Sequence, residues 1–243
     1  MNILLLIGII ITSLTISTVG ISLYIRKYKT SEAITAIYVI YLALSQILAM
    51  KLADFWGLPA PAAVIIFPFV FQLTDTMNEH FGEKATYRMI VIGFVTQVLM
   101  VFFIEIGNLL DPSPGWVWFD NADWVLLFRQ QFGIIAASWI AFIISNFFDT
   151  WLYAWIKRKT GTKALWVRSI LTDLPSLALD SCIFVTLAFG VFTASPNWNT
   201  VGLTILGQLA TKWVLGAIDT PFIYLDRWIV NYKRKPKEEE ISS

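Results

Sequence analysis

The chain has 243 residues, of which 57% are hydrophobic and only 14% are charged. Ordinary soluble domains carry about 25% charged and about 45–50% apolar residues. Apolar runs of about 20 residues recur along almost the whole chain and leave no continuous polar surface for water to cover. The composition therefore predicts an integral membrane protein. The formal net charge of +1 gives no basic excess for binding nucleic acid.

Seven apolar stretches are separated by charged breaks or by breaks that contain proline or glycine. Each stretch is long enough to cross a hydrocarbon core of about 30 Å as a helix. The first one has no basic residue before Arg26 and is longer than the apolar part of a signal peptide, so we expect it to be retained. We predict an all-α fold with about seven transmembrane helices, at about 2–25, 31–53, 59–80, 85–110, 125–157, 166–193 and 198–230.

The breaks between these stretches alternate in charge. Every second break is basic, and the breaks between them are neutral or acidic. By the positive-inside rule, this alternation predicts a multi-pass protein of the cell membrane with its N-terminus outside and its C-terminus in the cytoplasm. The charged end, 233–243, cannot bury an apolar face and is predicted to be a disordered cytoplasmic tail. The basic groups are Arg26, Lys27 and Lys29; Lys84 and Arg88; Lys157, Arg158, Lys159, Lys163 and Arg168; and Arg227, Lys233, Arg234, Lys235 and Lys237.

Polar residues recur at helical spacing inside several predicted spans, so that each set forms a stripe on one face. An ionisable residue costs about 2.5–3.5 kcal/mol at mid-helix on insertion scales and therefore needs a partner or a function. Stripes converging from different helices predict a central polar cavity, in which the lysine opposes an aspartate of the sixth span. The alternative is that each stripe only supplies hydrogen bonds between helices. The members are Gln72, Asp75 and Glu79; Asn146 and Asp149; Asp173, Ser176 and Asp180; and Gln208 and Lys212.

The residue patterns of common membrane enzymes do not occur in the sequence. His80 is the single histidine and Cys182 the single cysteine, whereas metal sites normally use two or more imidazole or thiolate ligands. The chain has no His-Glu-x-x-His zinc motif, no Gly-x-Ser-x-Gly nucleophile motif and no phosphate-binding loop. These observations disfavour a membrane enzyme, and we expect neither a cofactor nor a metal site.

Four patches of the chain resemble one family of transporters. The run from Phe67 to Ala85, FPFVFQLTDTMNEHFGEKA, is similar to the signature of the queuosine precursor transporter family, within the vitamin uptake transporters. Its Thr-Asp-x-x-x-Glu-x-x-Gly core is the most specific part, and the resemblance covers about 35–230. The other three patches follow in the same order and contain Arg129, Ser138, Ser145 and Asp149; Arg168, Ser169, Asp173 and Asp180; and Lys212, Thr220 and Pro221.

This resemblance implies a six-helix bundle at 31–232, similar to the substrate-binding subunits of energy-coupling-factor importers, with an additional transmembrane helix at 1–30. It also implies import of a queuosine or archaeosine precursor, 7-cyano-7-deazaguanine or a related 7-deazaguanine. The alternative is a substrate-binding subunit that needs a separate energising module and binds another small heterocycle or vitamin. The expected partners are the small-molecule substrate and the lipid bilayer, without nucleic acid. The sequence leaves a homo-oligomer or an energising partner open.

The polar stripes match the chemistry of such a substrate. A 7-deazaguanine offers N–H donors at its ring and amino group, which carboxylates accept, and an acceptor oxygen, which an amide or an ammonium group can meet. Aromatic side chains such as Phe67, Phe69 and Phe71 could stack on the flat ring. The predicted substrate-binding residues are Gln72, Asp75, Glu79, Asn146, Asp149, Asp173, Asp180, Gln208 and Lys212.

Overall fold

The structure is a computed structural model that describes residues 3–49, 51–55, 58–116, 120–128, 132–160, 165–192, 196–216 and 220–231. These residues are almost entirely helical, as the apolar stretches predict. The nine α-helices of the described residues are α1 (Ile3–Tyr28), α2 (Glu32–Ala49), α3 (Phe67–Phe81), α4 (Glu83–Asn108), α5 (Asn121–Phe128), α6 (Phe132–Thr160), α7 (Leu165–Val185), α8 (Trp198–Gly216) and α9 (Thr220–Asn231).

Five helical stretches of the described chain are long and apolar enough to cross a membrane. Large apolar side chains such as Ile40, Val95 and Phe103 stay exposed on them. Faces of this kind are typical of helices that contact lipid tails, which are as apolar as the side chains themselves. The predicted number of seven crossings stays a prediction. The five stretches are Ile7–Tyr28, Glu32–Ala49, Glu83–Asn108, Ile134–Thr160 and Ile170–Val191.

The prediction of one continuous helix over 59–80 is wrong. Before α3, the chain forms an antiparallel hairpin of β1 (Leu52–Phe55) and β2 (Leu58–Pro61), and a 3₁₀-helix follows at Ala62–Ile65. With its 15 residues, α3 is about 22 Å long and thus shorter than a hydrocarbon core.

Prolines explain this break in the predicted helix. Pro59 and Pro61 stand in the hairpin, where a residue without an N–H donor is tolerated, and Pro68 stands in the first turn of α3. The apolar character of 59–66 is the same whether it folds as a strand or as a helix. Hydropathy alone therefore cannot reveal the change.

Other predicted boundaries also shift. The second span, predicted at 31–53, ends with α2 at Ala49. The predicted span 125–157 falls on α5 and α6, and the predicted span 198–230 falls on α8 and α9. The predicted tail at 233–243 lies outside the described residues. The linking residues 129–131, which include Arg129, and 217–219 lie outside them as well.

The short helix α3 is the central element of the bundle. All residues from Pro68 to Asn78 are buried, and the helix packs against α2, α4, α6, α8 and α9. Gly82, whose φ of 83° favours glycine, ends α3 and allows α4 to start at the next residue. The polar side chains of α3 therefore contact protein and not lipid.

The N-terminal helix α1 is tied to the bundle by polar contacts. It packs mainly against α9. Gln72 Nε2 of α3 donates to Thr18 Oγ1 of α1 at 2.6 Å. Ser22 Oγ of α1 donates to Asp226 Oδ1 of α9 at 2.7 Å, and His80 Nε2 lies 2.7 Å from the other oxygen of that carboxylate. These contacts join α1, α3 and α9.

Two features shape the centre of the bundle. A Cβ atom added to Gly93 of α4 would lie 2.7 Å from a methyl carbon of Leu42 and 2.8 Å from the ring of Tyr38, so α4 approaches α2 closely at this glycine. After α7, a π-helical segment at Thr186–Val191 widens the helix. Such segments are frequent at functional sites.

Candidate functional site

A cavity of about 220 Å³ lies between α2, α3, α4, α6, α7 and α8. Pro61 and Val64, from the hairpin and the 3₁₀-helix, and Phe189, from the π-helical segment, form part of its wall. Irregular backbone at membrane depth is tolerated where it is buried in protein or lines a cavity. A cavity of about 150 Å³ already admits a benzene-sized molecule, so this volume suits a small flat ring system.

One wall of the cavity carries an ion pair between α8 and α7. Lys212 Nζ lies 2.5 Å from Asp180 Oδ2, and Ser145 Oγ donates to Asp180 Oδ1 at 3.3 Å. The ammonium group also lies 3.8 Å from the centre of the Phe67 ring. Because each charge has a partner of opposite sign, the pair can persist in a poorly solvated interior. The predicted pairing of Lys212 with an aspartate of α7 is confirmed.

A second wall carries neutral amides. Gln46 Nε2 of α2 donates to Gln97 Oε1 of α4 at 2.9 Å and to Ser138 Oγ of α6 at 3.3 Å. Asn146 of α6 is also fixed, since its oxygen accepts from the Tyr38 hydroxyl at 3.1 Å and its Nδ2 donates to the Phe142 carbonyl at 2.9 Å. These amides are held in place by the protein and line the cavity.

Gln208 differs from the other amides of the cavity. It lies one turn before Lys212 on α8, is only 3% exposed and lines the cavity. Its Oε1 is buried, and within the described part of the chain its amide makes no hydrogen bond to the protein. A buried polar group without a partner is costly, so this amide is available for a ligand or for water.

Phenylalanines supply the flat apolar surfaces of the cavity. Phe67, Phe142, Phe184 and Phe189 line it. Of the three phenylalanines expected to stack on a ring, only Phe67 is among the described lining residues. Phe69, for example, packs against Tyr41 with its ring centre 5.2 Å away.

Comparison with known proteins gives the family. A family model described as "Putative vitamin uptake transporter" matches residues 61–225, which is more than half of the chain. The chain belongs to the vitamin uptake transporter family. The transporter is also similar to the "Probable queuosine precursor transporter" of Bacillus subtilis (strain 168), with 24% identity over 177 residues that cover 72% of this chain and 75% of that protein. No solved structure matches.

These comparisons confirm the resemblance stated from the sequence. The protein is a multi-pass membrane transporter of this family and not an enzyme. The matched region begins at the end of the hairpin and includes α3 to α8, which carry most of the cavity lining. It does not include α1 and α2.

The transporter brings some of the nine predicted site residues together and separates others. Four of them line the cavity, namely Asn146, Asp180, Gln208 and Lys212. Gln72 contacts α1 through Thr18, as described above. Glu79 lies at the far end of α3, where its Oε2 is 3.2 Å from Lys157 Nζ. That the nine residues bind substrate stays a prediction.

The remaining three predicted residues form a buried acidic cluster. Asp75 of α3, Asp149 of α6 and Asp173 of α7 are each at most 5% exposed, and one oxygen from each lies within 4.8 Å of the others. Carboxylate oxygens in such a cluster can coordinate a cation or share protons. The sequence predicts no metal site, and none of the three lines the cavity.

Several lining residues were not predicted from the sequence. Gln46 and Gln97 are the clearest cases, because each is an amide within a mainly apolar stretch of its helix. A polar stripe consists of residues that repeat at helical spacing, and these two amides belong to no such repeat. Their position in an apolar span was the signal that could have revealed them, since such a residue needs a partner.

Proposed function

We propose that the transporter imports a 7-deazaguanine, such as 7-cyano-7-deazaguanine, and binds it in the cavity between α2, α3, α4, α6, α7 and α8. One observation carries this proposal: the cavity is large enough for a small ring system and combines neutral amides, a compensated ion pair and phenylalanines. The similarity to a protein named as a queuosine precursor transporter supports this choice of substrate class.

The lining chemistry suits a neutral heterocycle. Amides offer both donors and acceptors, which match the N–H groups and the oxygen of a deazaguanine. Phe67, Phe184 and Phe189 provide apolar faces for a flat ring. Because Lys212 and Asp180 neutralise each other, a bound neutral molecule leaves no charge without a partner.

We propose that the N-terminus lies outside and the C-terminus in the cytoplasm, with about seven crossings. The ends of α1 and α6 support this orientation, because their last turns carry Arg26 and Lys27 and the run Lys157, Arg158 and Lys159. In this proposal, 31–232 form a six-helix transporter domain, and α1 is the additional helix.

The test is uptake of labelled 7-cyano-7-deazaguanine by cells that cannot make it. Cells that express the transporter should accumulate the label, whereas cells with an empty vector should not. An excess of unlabelled 7-deazaguanine should compete, and an excess of a pyrimidine should not. Uptake at the vector level, with the protein present in the membrane, would contradict the proposal.

A second candidate function is a binding subunit that needs a separate energising module. The sequence has no phosphate-binding loop, so the energy for uptake has to come either from an ion gradient or from such a module. Liposomes that contain this chain alone separate the two candidates. Accumulation supports an independent importer, and binding without flux supports the subunit.

A further inference from the structure

Gln208 is the one amide of the described cavity lining whose two ends both lack a protein partner. Gln46 donates to Gln97 and Ser138, and Asn146 is held by Tyr38 and Phe142. Gln208, in contrast, makes no hydrogen bond within the described residues, although it is 97% buried and its oxygen has no contact with solvent. A packing role would not require an amide at this position.

The charged neighbours of Gln208 are already occupied. Lys212, one turn further along the same face of α8, pairs with Asp180, and the second oxygen of Asp180 accepts from Ser145. Neither group therefore needs the Gln208 amide. The donor and the acceptor of Gln208 both remain for a molecule in the cavity.

We infer that Gln208 determines substrate specificity by pairing with a lactam edge, the adjacent N–H and C=O groups of the heterocycle. This inference rests on the proposed function and names the substrate group that the site recognises. A side-chain amide and a lactam each place a donor beside an acceptor. The two can therefore form two parallel hydrogen bonds in one plane, as glutamine and asparagine do with the edge of a base.

The pairing does not depend on which way the amide is turned. The nitrogen and oxygen of a glutamine side chain are assigned from their hydrogen bonds, and Gln208 has none within the described residues. Rotation by half a turn exchanges the two ends at no cost in protein hydrogen bonds. The amide can thus match the substrate in either orientation of the lactam.

Two ring compounds that differ only at the lactam test this inference. These are 7-deazaguanine and 2-amino-7-deazapurine, in which a C–H group and a bare ring nitrogen replace the C=O and N–H groups. Binding to the purified full-length transporter is measured by calorimetry in detergent. The wild-type protein should prefer 7-deazaguanine by at least about tenfold, because this analogue offers no donor at that edge to the Gln208 oxygen and leaves half of the pair unmade.

The informative variant is Gln208→Met, which keeps the length of the side chain and removes both hydrogen-bonding groups. Its dissociation constant for 7-deazaguanine should rise at least about tenfold, and its preference over 2-amino-7-deazapurine should fall to within about twofold. The thermal midpoint of the ligand-free variant should equal or exceed that of the wild type, since no protein hydrogen bond is lost. Gln46→Met is the matched stability control and should lower the midpoint, because Gln46 makes two such bonds.

The outcomes separate this inference from the proposed function. If the wild-type protein binds neither ring, the proposed function fails, and the inference fails with it. If it binds 7-deazaguanine without preference over 2-amino-7-deazapurine, only the inference is overturned. The same holds if Gln208→Met keeps the wild-type affinity and preference, because Gln208 then holds water only.

Discussion

Lys212 of α8 donates a hydrogen bond of 2.5 Å to Asp180 of α7, and both side chains are buried. Two further contacts converge on this pair, since Ser145 donates to the aspartate and the Phe67 ring lies beside the ammonium group. The pair therefore joins α3, α6, α7 and α8 at the wall of the cavity. Its charges compensate each other, and removal of either one leaves the other buried alone.

Breaking this ion pair should destabilise the transporter. Lys212→Ala leaves the Asp180 carboxylate without its cation, and the expected loss is about 3–5 kcal/mol. Adding Asp180→Asn should restore part of this stability, because the uncompensated charge disappears with its partner. The measurement is a double-mutant cycle on the thermal midpoint in detergent.

Asp173→Asn is the control for this cycle. Asp173 lies two turns before Asp180 on α7 and belongs to the acidic cluster, outside the described cavity lining. Its effect should add to that of Lys212→Ala. Additivity in the Asp180 cycle as well would mean that Lys212 does not depend on Asp180.

The residues of this pair also indicate how much the sequence can predict. A lysine in an apolar span must be neutralised, and a helix with aspartates at helical spacing is the obvious partner, so the stripes gave the pairing. The same argument correctly predicts that the polar face of α3 contacts protein. It cannot choose the contact, because one face of α3 meets several neighbours. Gln72 contacts α1, and Glu79 contacts Lys157 of α6.

Other features were beyond the sequence for different reasons. The hairpin before α3 and the two amides at Gln46 and Gln97 leave the hydropathy pattern unchanged, since the hairpin is as apolar as a helix and single amides form no stripe. Which carboxylates meet across helices depends on the rotation of each helix in the bundle. That rotation is set by packing, and it brings Asp75 together with Asp149 and Asp173 away from the cavity.

The contact between α2 and α4 should not tolerate a side chain at Gly93. A Cβ atom there would lie 2.7 Å from Leu42 and 2.8 Å from Tyr38, so the helices would have to separate. Gly93→Ala should cost about 1–3 kcal/mol of stability. Gly107→Ala in the same helix is the control, because a Cβ there meets nothing within 4 Å. If both variants have the wild-type thermal midpoint, the close approach is wrong.

The acidic cluster should be a source of instability. Asp149 lies beside Asp173 in a buried environment, and Asp149 Oδ1 has no hydrogen-bond partner among the described residues. Asp149→Asn replaces one of the three crowded carboxyl groups by a neutral amide that can still accept hydrogen bonds, so it should raise the thermal midpoint by a few degrees. Asp180→Asn should lower it, because that carboxylate has a cation partner. A lower midpoint for Asp149→Asn would contradict this account.

Cysteine labelling should reveal the predicted orientation. Cys182 is exposed and must first be replaced by alanine. An impermeant thiol reagent added to intact cells should then label Asp111→Cys, in the acidic break after α4, and should leave Thr162→Cys unlabelled. Thr162 lies outside the described residues, beside the basic end of α6. Both positions should react in permeabilised cells, and labelling of Thr162→Cys in intact cells would reverse the orientation.

The charge of the 7-substituent should decide which deazaguanine the transporter prefers. Asp180 is the only carboxylate among the described residues that line the cavity, and it is neutralised by Lys212. A protonated aminomethyl group would therefore enter the cavity without a counter-charge, whereas a cyano group is uncharged and needs no counter-charge. We expect the wild-type protein to bind the cyano form at least about tenfold more tightly, because an unpaired buried charge is costly. Competition binding at pH 7 measures this ratio. Lys212→Met leaves Asp180 without its cation and should shift the ratio towards the aminomethyl form. The control is Lys157→Met, which removes a cation that pairs with Glu79 outside the described cavity lining, and it should leave the ratio unchanged. Equal binding of both forms by the wild-type protein would mean that the ion pair does not make the transporter select its substrate by charge.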